Sequence, residues 1–442
     1  LGHGISFREA TRTFAKIGLE SFGGPAGQIA VMHRVLVEEK KWVSEARFLH
    51  ALNYCMLLPG PEATQLVTYV GWLLHGTAGG LVAGALFVLP GFVSILALSL
   101  VYAAWHAVPA IDGAFFGLKA AVLAVVVEAG IRIGRRALRT RAHALIAAAA
   151  FAAIFLFDVA FPLIVAAAAV LGLVAGRVAP GAFVGAARED EGAALVGDLP
   201  EHARPTTGRT VRVALAWLAA WWIPVGALVL AFGTGSVFVD EALFFSKTSC
   251  VTFGGAYAVL PYVAQHAVDE FRWLSAGEMI VGLGMAETTP GPLIQVLQFV
   301  GFLGAHRNPG AMNPWAAAVL GAVVTTWVTY VPCFLWIFVG APYVEALRGS
   351  RALTSALSAI TAAVVGVVLN LAVWFALHAM FGTVEVRHVA GMRVSVPEWG
   401  TVNWASVAIA GAAAVALLRF KIGMLWTLAG AAAAGVVSRL AA

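Results

Sequence analysis

Long uncharged runs alternate with short polar stretches along this chain. Gly79 to Tyr102, Ala114 to Val127, Ala214 to Phe232 and Ala316 to Val339 carry almost no charge, and runs of this kind predict helices that span a bilayer. Two shorter apolar stretches close each half of the chain, near 143–157 and 160–176, then near 402–419 and 421–439. Ten-residue segments of alternating polarity, the mark of a membrane β-barrel, are absent. The pattern predicts an all-α polytopic membrane protein.

The punctuation inside those runs occurs twice. Phe14, Lys16, Phe22-Gly23-Gly24, Trp42, Ser44 and Pro59-Gly60-Pro61 recur in the same order and spacing as Phe245, Lys247, Phe253-Gly254-Gly255, Trp273, Ser275 and Pro290-Gly291-Pro292. After one deleted residue, Gln65 and Gly71 match Gln295 and Gly301, and further on Pro90-Gly91-Phe92 aligns with Pro332-Cys333-Phe334. The expected organisation is a first repeat unit (1–176), a polar cytoplasmic linker (177–210), an unpaired connecting transmembrane helix (211–232) and a second repeat unit (233–442). If each unit crosses an even number of times, the single extra span inserts the second unit upside down. With the Gly-Gly and Pro-Gly-Pro segments taken as re-entrant, twenty basic residues fall on one side and five (Arg272, Arg307, Arg387, Arg393 and Arg439) on the other. That asymmetry is what the positive-inside rule requires of a correct topology. It puts the N-terminus and the linker in the cytoplasm and the C-terminus in the periplasm. The fold class expected is therefore two inverted-topology structural repeats with broken, re-entrant helices.

Composition narrows the function. At 61% hydrophobic and 12% charged, with mean hydropathy +0.87, this is no ordinary soluble domain. The net charge of +5 does not argue for nucleic acid, because the basic residues cluster beside the predicted spans. Cys55, Cys250 and Cys333 sit in apolar segments at unrelated spacing, which reads as packed thiols with neither a metal site nor a disulfide framework. No cofactor is expected. The first thirteen residues contain Arg8, Glu9 and Arg12 and no apolar region, so insertion is expected to use the spans themselves. The charged stretch Arg34 to Arg47 reads as interfacial, with Trp42 at headgroup level.

The candidate chemistry lies at the breaks. In Ser21-Phe22-Gly23-Gly24-Pro25, two glycines let the backbone leave a helix and Pro25 suits the first turn of a new one. A helix beginning inside the membrane aims unpaired N–H groups and a positive dipole end at its surroundings, and a tetrahedral oxyanion is a natural partner. Thr252-Phe253-Gly254-Gly255 keeps the break without the proline. The alternative is that these glycines only let helices pack closely. Pro59-Gly60-Pro61 and Pro290-Gly291-Pro292 are firmer breakers, each followed by an amide, Gln65 or Gln295. They read as second broken helices near the site, or as turns at the bilayer surface. Lys16 and Lys247 are candidate counter-charges to a dianion, one from each half, or else lysines that snorkel to headgroups. Glu62 and Glu287 adjoin the Pro-Gly-Pro breaks and are the candidate proton carriers, since burial favours the neutral carboxyl. Static ion pairing is the other reading of such carboxylates. A pair of interrupted hydrophobic segments at corresponding positions in two halves points to a transporter's binding site.

These residues resemble the chromate ion transporter family in its long form with two homologous halves. The resemblance rests on Phe22-Gly23-Gly24-Pro25, Glu39-Lys40-Lys41-Trp42-Val43, Pro59-Gly60-Pro61 with Gln65, and their second-half counterparts, and it covers both units. It implies a multi-pass protein of the bacterial inner membrane that exports chromate and confers chromate resistance, with sulfate as a ligand of like shape and charge. Pro25 has no second-half equivalent, so full symmetry of the site is not implied. Carrier-mediated sulfate or oxyanion uptake, oxyanion exchange and an anion channel are the competing readings, and a homodimer is the expected assembly. A membrane-embedded enzyme is disfavoured because His-Glu-x-x-His, Cys-x-x-Cys and Gly-x-Ser-x-Gly are all missing.

Overall fold

The uncharged runs fold as helices. The computed structural model describes residues 4–56, 58–178, 206–253, 255–343, 351–389 and 392–441. Among them, six helices are long and apolar enough to cross a membrane: Glu62–Trp105, Pro109–Arg135, Phe161–Val178, Thr207–Phe232, Pro314–Tyr343 and Ser355–Met380. The chain is a multi-pass helical membrane protein. Most of the expected linker lies at 179–205, outside the described residues.

In chain order the helices that matter for the site are α1 (Phe7–Glu20), α2 (Gly24–His33), α3 (Glu45–Cys55), α4 (Glu62–Trp105), α5 (Pro109–Ala137), α6 (Arg141–Phe157), α7 (Phe161–Val178) and α8 (Thr207–Phe232). They are followed by α9 (Val237–Val251), α10 (Ala256–Ala264), α11 (Ala276–Thr288), α12 (Val296–Arg307), α13 (Pro314–Gly340), α14 (Arg351–Met380), α15 (Trp404–Ala414) and α16 (Met424–Leu440). Helix, glycine break, short helix, π turn, helix and Pro-Gly-Pro follow one another from α1 to α4 and again from α9 to α12.

Helix α4 is not one rod. Its 44 residues, if straight, would measure about 66 Å, roughly twice the hydrocarbon thickness. At His75 and Gly76 the backbone leaves the helical region, and the arms on either side double back on each other. Gly71 and Gly79 then meet so closely that a Cβ on either would strike the other's carbonyl. Helices α12 and α13 make the same antiparallel approach through Gly301 and Gly321.

A second local device recurs three times. π turns at Arg34–Glu39, Gln265–Glu270 and Val415–Arg419 are each followed by a basic residue with left-handed backbone, Lys41, Arg272 and Lys421. The widened turn ends the helix and swings the next residue inward, so Trp42 N–H donates to the Leu36 carbonyl at 2.8 Å and Trp273 N–H to Ala267 at 2.8 Å. Trp42 is therefore buried, 2% exposed and edge-on to Phe14. The chain reversal at Lys41 points the indole into the protein while the charged residues beside it stay exposed.

The all-α expectation has one exception, an antiparallel hairpin of β1 (Val384–Val389) and β2 (Met392–Pro397), in register from Val384 opposite Pro397 to Val389 opposite Met392. Valines alternating with polar residues favour extended chain there.

The chain divides into two compact units, each drawing on both sequence repeats. The first comprises Leu1–Ser99, Ala186–Ala256 and Thr289–Gly349. Its core gathers Phe14, Phe48, Tyr69, Trp72, Phe87 and Phe338. The second comprises Leu100–Gly185, Tyr257–Thr288 and Ser350–Ala442. Small residues hold it together: Gly113 and Gly117 of α5 lie directly on the backbone of α16 at Ala431 and Gly435, the close approach typical of membrane helices. Helix α11 opens with a capping box, in which Ser275 Oγ accepts from Glu278 N–H and Glu278 Oε2 accepts from Ser275 N–H at 2.8 Å.

Candidate functional site

Breaking a helix in an apolar environment strands backbone donors and acceptors, and these must find partners inside the protein. In the first unit they find them across the two repeats. Helix α1 ends at Glu20, and the carbonyl of Ser21 accepts from the Gly291 N–H at 2.9 Å. Helix α9 ends at Val251, and the carbonyl of Thr252 accepts from the Gly60 N–H at 2.7 Å. Each glycine break is thus tied to the Pro-Gly-Pro of the other half. Gln28 adds a third tie, its Nε2 donating to the Gly291 carbonyl at 2.8 Å. Gly60 and Gly291 have φ of +115° and +92°, a region that side chains with a Cβ rarely enter.

The pairing brings the first turns of several helices to one place. Pro25 and Gln28 from α2, Pro61, Glu62 and Ala63 from the start of α4, Ala256 opening α10, and Pro292, Leu293 and Ile294 leading into α12 line one small cavity. Four chain segments, two from each repeat, turn helical at its wall. The first turn of a helix carries N–H groups without intrahelical partners and the positive end of its dipole, so such a wall favours an anion without a basic side chain. Among the described residues lining it, Glu62 is the one that carries charge. Its Oε1 and Oε2 lie 2.8 and 3.2 Å from the point where a Cβ on Gly255 would stand, so the carboxylate rests against the second glycine break.

The other residues singled out in the sequence divide into groups. Ser21 and Thr252 are buried, and both hydroxyls donate to the carbonyl four residues back, at 2.6 Å in each case. Their side chains tie off their own helices while their carbonyls receive the crossed bonds. Gln65 is fully buried, donates to the Pro59 carbonyl at 2.7 Å, and has an unpartnered Oε1. Gln295 is likewise buried, donating to Gln298 and to Thr326 Oγ1. Phe22, Phe253 and Pro59 are half-buried beside the breaks, as is Pro290, whereas Gly23, Gly24, Pro61 and Pro292 shape the turns. Gly254 lies outside the described residues. Lys16 stands away from the cavity wall, half-exposed in a surface ion network with Glu39 at 3.5 Å and Glu20 at 3.9 Å, where Arg34 also pairs with Glu20 at 2.7 Å. Lys247 is exposed on α9. Glu287 belongs to the second unit, fully buried, where it accepts from the Tyr257 hydroxyl and leaves Oε2 without a partner. Arg132, which pairs with Glu128 at 3.4 Å, is within its electrostatic reach.

Sequence reasoning passed over three residues. Gln28, 1% exposed, is an amide in an otherwise apolar turn of α2, and that isolation was its signal. Tyr257 aligns with Ala26, so repeat matching gave it no weight. Glu241 is fully buried in α9 against Gly321, and it too has no counterpart, since Ala10 occupies the matching position.

The sequence profile described as chromate transporter matches two regions of the chain, residues 8–173 and 239–436. The chromate transport protein of Pseudomonas aeruginosa is 33% identical over 370 residues, covering 82% of this chain and 80% of that protein. The probable chromate transport protein of Synechococcus elongatus is 28% identical, covering 82% and 83%. The chromate transport protein of Cupriavidus metallidurans is 25% identical, covering 82% and 81%. No solved structure matches.

Proposed function

This chain belongs to the chromate transporter family, a family of transporters rather than enzymes, and from that premise we propose that it exports chromate by alternating access, with the anion held in the cavity at the broken helices. The observation that carries this reading is the convergence of four helical first turns on one small cavity. A doubly charged tetrahedral oxyanion needs several donors and a positive field, and helix N-termini supply both. Sulfate has the same shape and charge and is the expected competing ligand. Lys16 and Lys247, both outside the cavity wall, act on the approach of the dianion rather than in its coordination.

The two repeats are inverted with respect to each other, with re-entrant segments at the glycine and proline breaks. The crossed bonds Ser21–Gly291 and Thr252–Gly60 support this, because each half contributes one donor and one acceptor in equivalent positions. The N-terminus and linker face the cytoplasm of a bacterial cell and the C-terminus faces the periplasm. Outward movement of a dianion is favoured by an inside-negative potential, by roughly 4–5 kcal/mol per 100 mV for two charges. Expulsion driven by that potential gives the cell resistance to chromate. Glu62 and Glu287 are the carboxyls that confer dependence on pH.

Uptake of chromate into inside-out vesicles, with pH and voltage gradients imposed separately, tests the function. Saturable uptake driven by an inside-positive potential and inhibited by sulfate is expected. Open-channel currents, or no chromate flux under any gradient, would overturn it.

A further inference from the structure

The cavity has a positive field and one negative side chain, and those two facts belong together. Glu62 opens α4, and its carboxylate rests on Gly255, the residue just before α10 of the other repeat. A Cβ at 255 would stand 2.8 Å from Oε1 and push the carboxylate aside, and the φ of +96° there also favours glycine. The remaining lining residues are prolines, small or aliphatic residues and Gln28. The nearby titratable groups on packed elements are two buried thiols, Cys55 on α3 and Cys333 on α13, the latter beside Gly60. Among the described residues of the lining, no cation compensates the carboxylate. What compensates it is the same set of helix openings that would hold a transported anion.

We infer that the Glu62 carboxylate is a built-in competitor of the transported oxyanion: ionised, it occupies the cavity against Gly255, and the anion enters only when Glu62 takes up a proton. This rests on the oxyanion reading of the cavity. A carboxylate and a dianion cannot share this one small cavity, which Glu62 itself lines, without strong like-charge repulsion. Protonation removes the repulsion, giving a neutral carboxyl that can turn a hydrogen-bond donor toward the anion. The proton comes from the aqueous side as the anion binds and leaves with it, when the carboxylate returns to Gly255. A proton thus accompanies each anion, and the net charge moved per turnover is one rather than two.

Binding of chromate and of sulfate to the purified full chain in detergent, from mildly acidic to mildly alkaline pH, tests this. In the unaltered chain, affinity should fall as pH rises, and binding in weak buffer should take up a proton. Sulfate keeps its double charge across that range, so its pH dependence reports the protein alone. Glu62→Gln, of the same shape, should bind roughly tenfold or more tightly at neutral pH, with the pH dependence and proton uptake gone. Unchanged affinity and pH dependence in Glu62→Gln would overturn the inference and leave the oxyanion site standing. Binding by the unaltered chain without proton uptake would overturn it whether or not the variant folds. If the unaltered chain binds neither anion, the oxyanion reading itself falls.

Discussion

Gly291 concentrates more constraints than any other residue of the site. Its N–H caps the end of α1 through Ser21, its carbonyl receives Gln28, and its φ of +92° lies in the left-handed region. A Cβ there would also come within 3.0–3.2 Å of Gly91 and the Phe87 carbonyl. Gly291→Ala should therefore cost about 1–3 kcal/mol from the backbone alone, and more from the contact with α4. We expect lowered thermal stability of the purified protein and abolished chromate flux. Gly23 has a similar φ of +83°, but a Cβ there meets nothing within 4 Å. Gly23→Ala should lose only the backbone part, about 1 kcal/mol. Equal melting temperatures for the two variants would show that the close approach to α4 does not matter. At this scale the sequence revealed which residues interrupt the helices, because glycine and proline act on their own backbone. It did not reveal their partners, because nothing local to Ser21 specifies Gly291. Lys16 shows the opposite case: Glu20, one turn away on the same helix, was readable as its ion-pair partner from spacing alone.

Elements form where local and long-range preferences agree, and the π turns mark where they part. Trp42 and Trp273 both follow a left-handed basic residue and both are buried, so apolar side chains flank what reads in the sequence as a charged surface segment. Hydropathy located five of the six long helices, all but α14, because lipid solvates their outer faces wherever they pack. The reversal inside α4 did have a polar signal, His75-Gly76-Thr77, but Gly76 is one glycine among several and nothing local marks it as the turn. The β hairpin escaped for a related reason: twelve residues of alternating valine are short beside the helical runs around them. Helix α11 begins differently from α3, because Ser275 and Glu278 form a reciprocal cap whereas Ser44 accepts only from Arg47 N–H. Ser275→Ala should thus destabilise the second unit by about 1 kcal/mol. Chemical unfolding of the purified protein measures it, and flux per folded molecule should stay as it was.

Across the whole molecule, the first compact unit contains every described residue singled out for binding the anion, and it takes them from both repeats. The division of labour is by unit, not by repeat. Splitting the chain within residues 179–205 should therefore give two fragments that each lack a site and together rebuild one. Co-expression of the two pieces is expected to restore chromate flux, while either alone gives none. Flux from a single fragment would show that one repeat suffices. The crossed bonds also set an order on biogenesis. When α1 and the first Pro-Gly-Pro enter the membrane, the Ser21 carbonyl and the Gly60 N–H have no partner until residues 252 and 291 have been synthesised. For the time it takes to make some two hundred residues, the nascent chain carries exposed backbone polarity that neither lipid nor its own half can satisfy. The first half waits at the membrane as an unfinished structure, and the last-made residues of the site close both its chemistry and its fold.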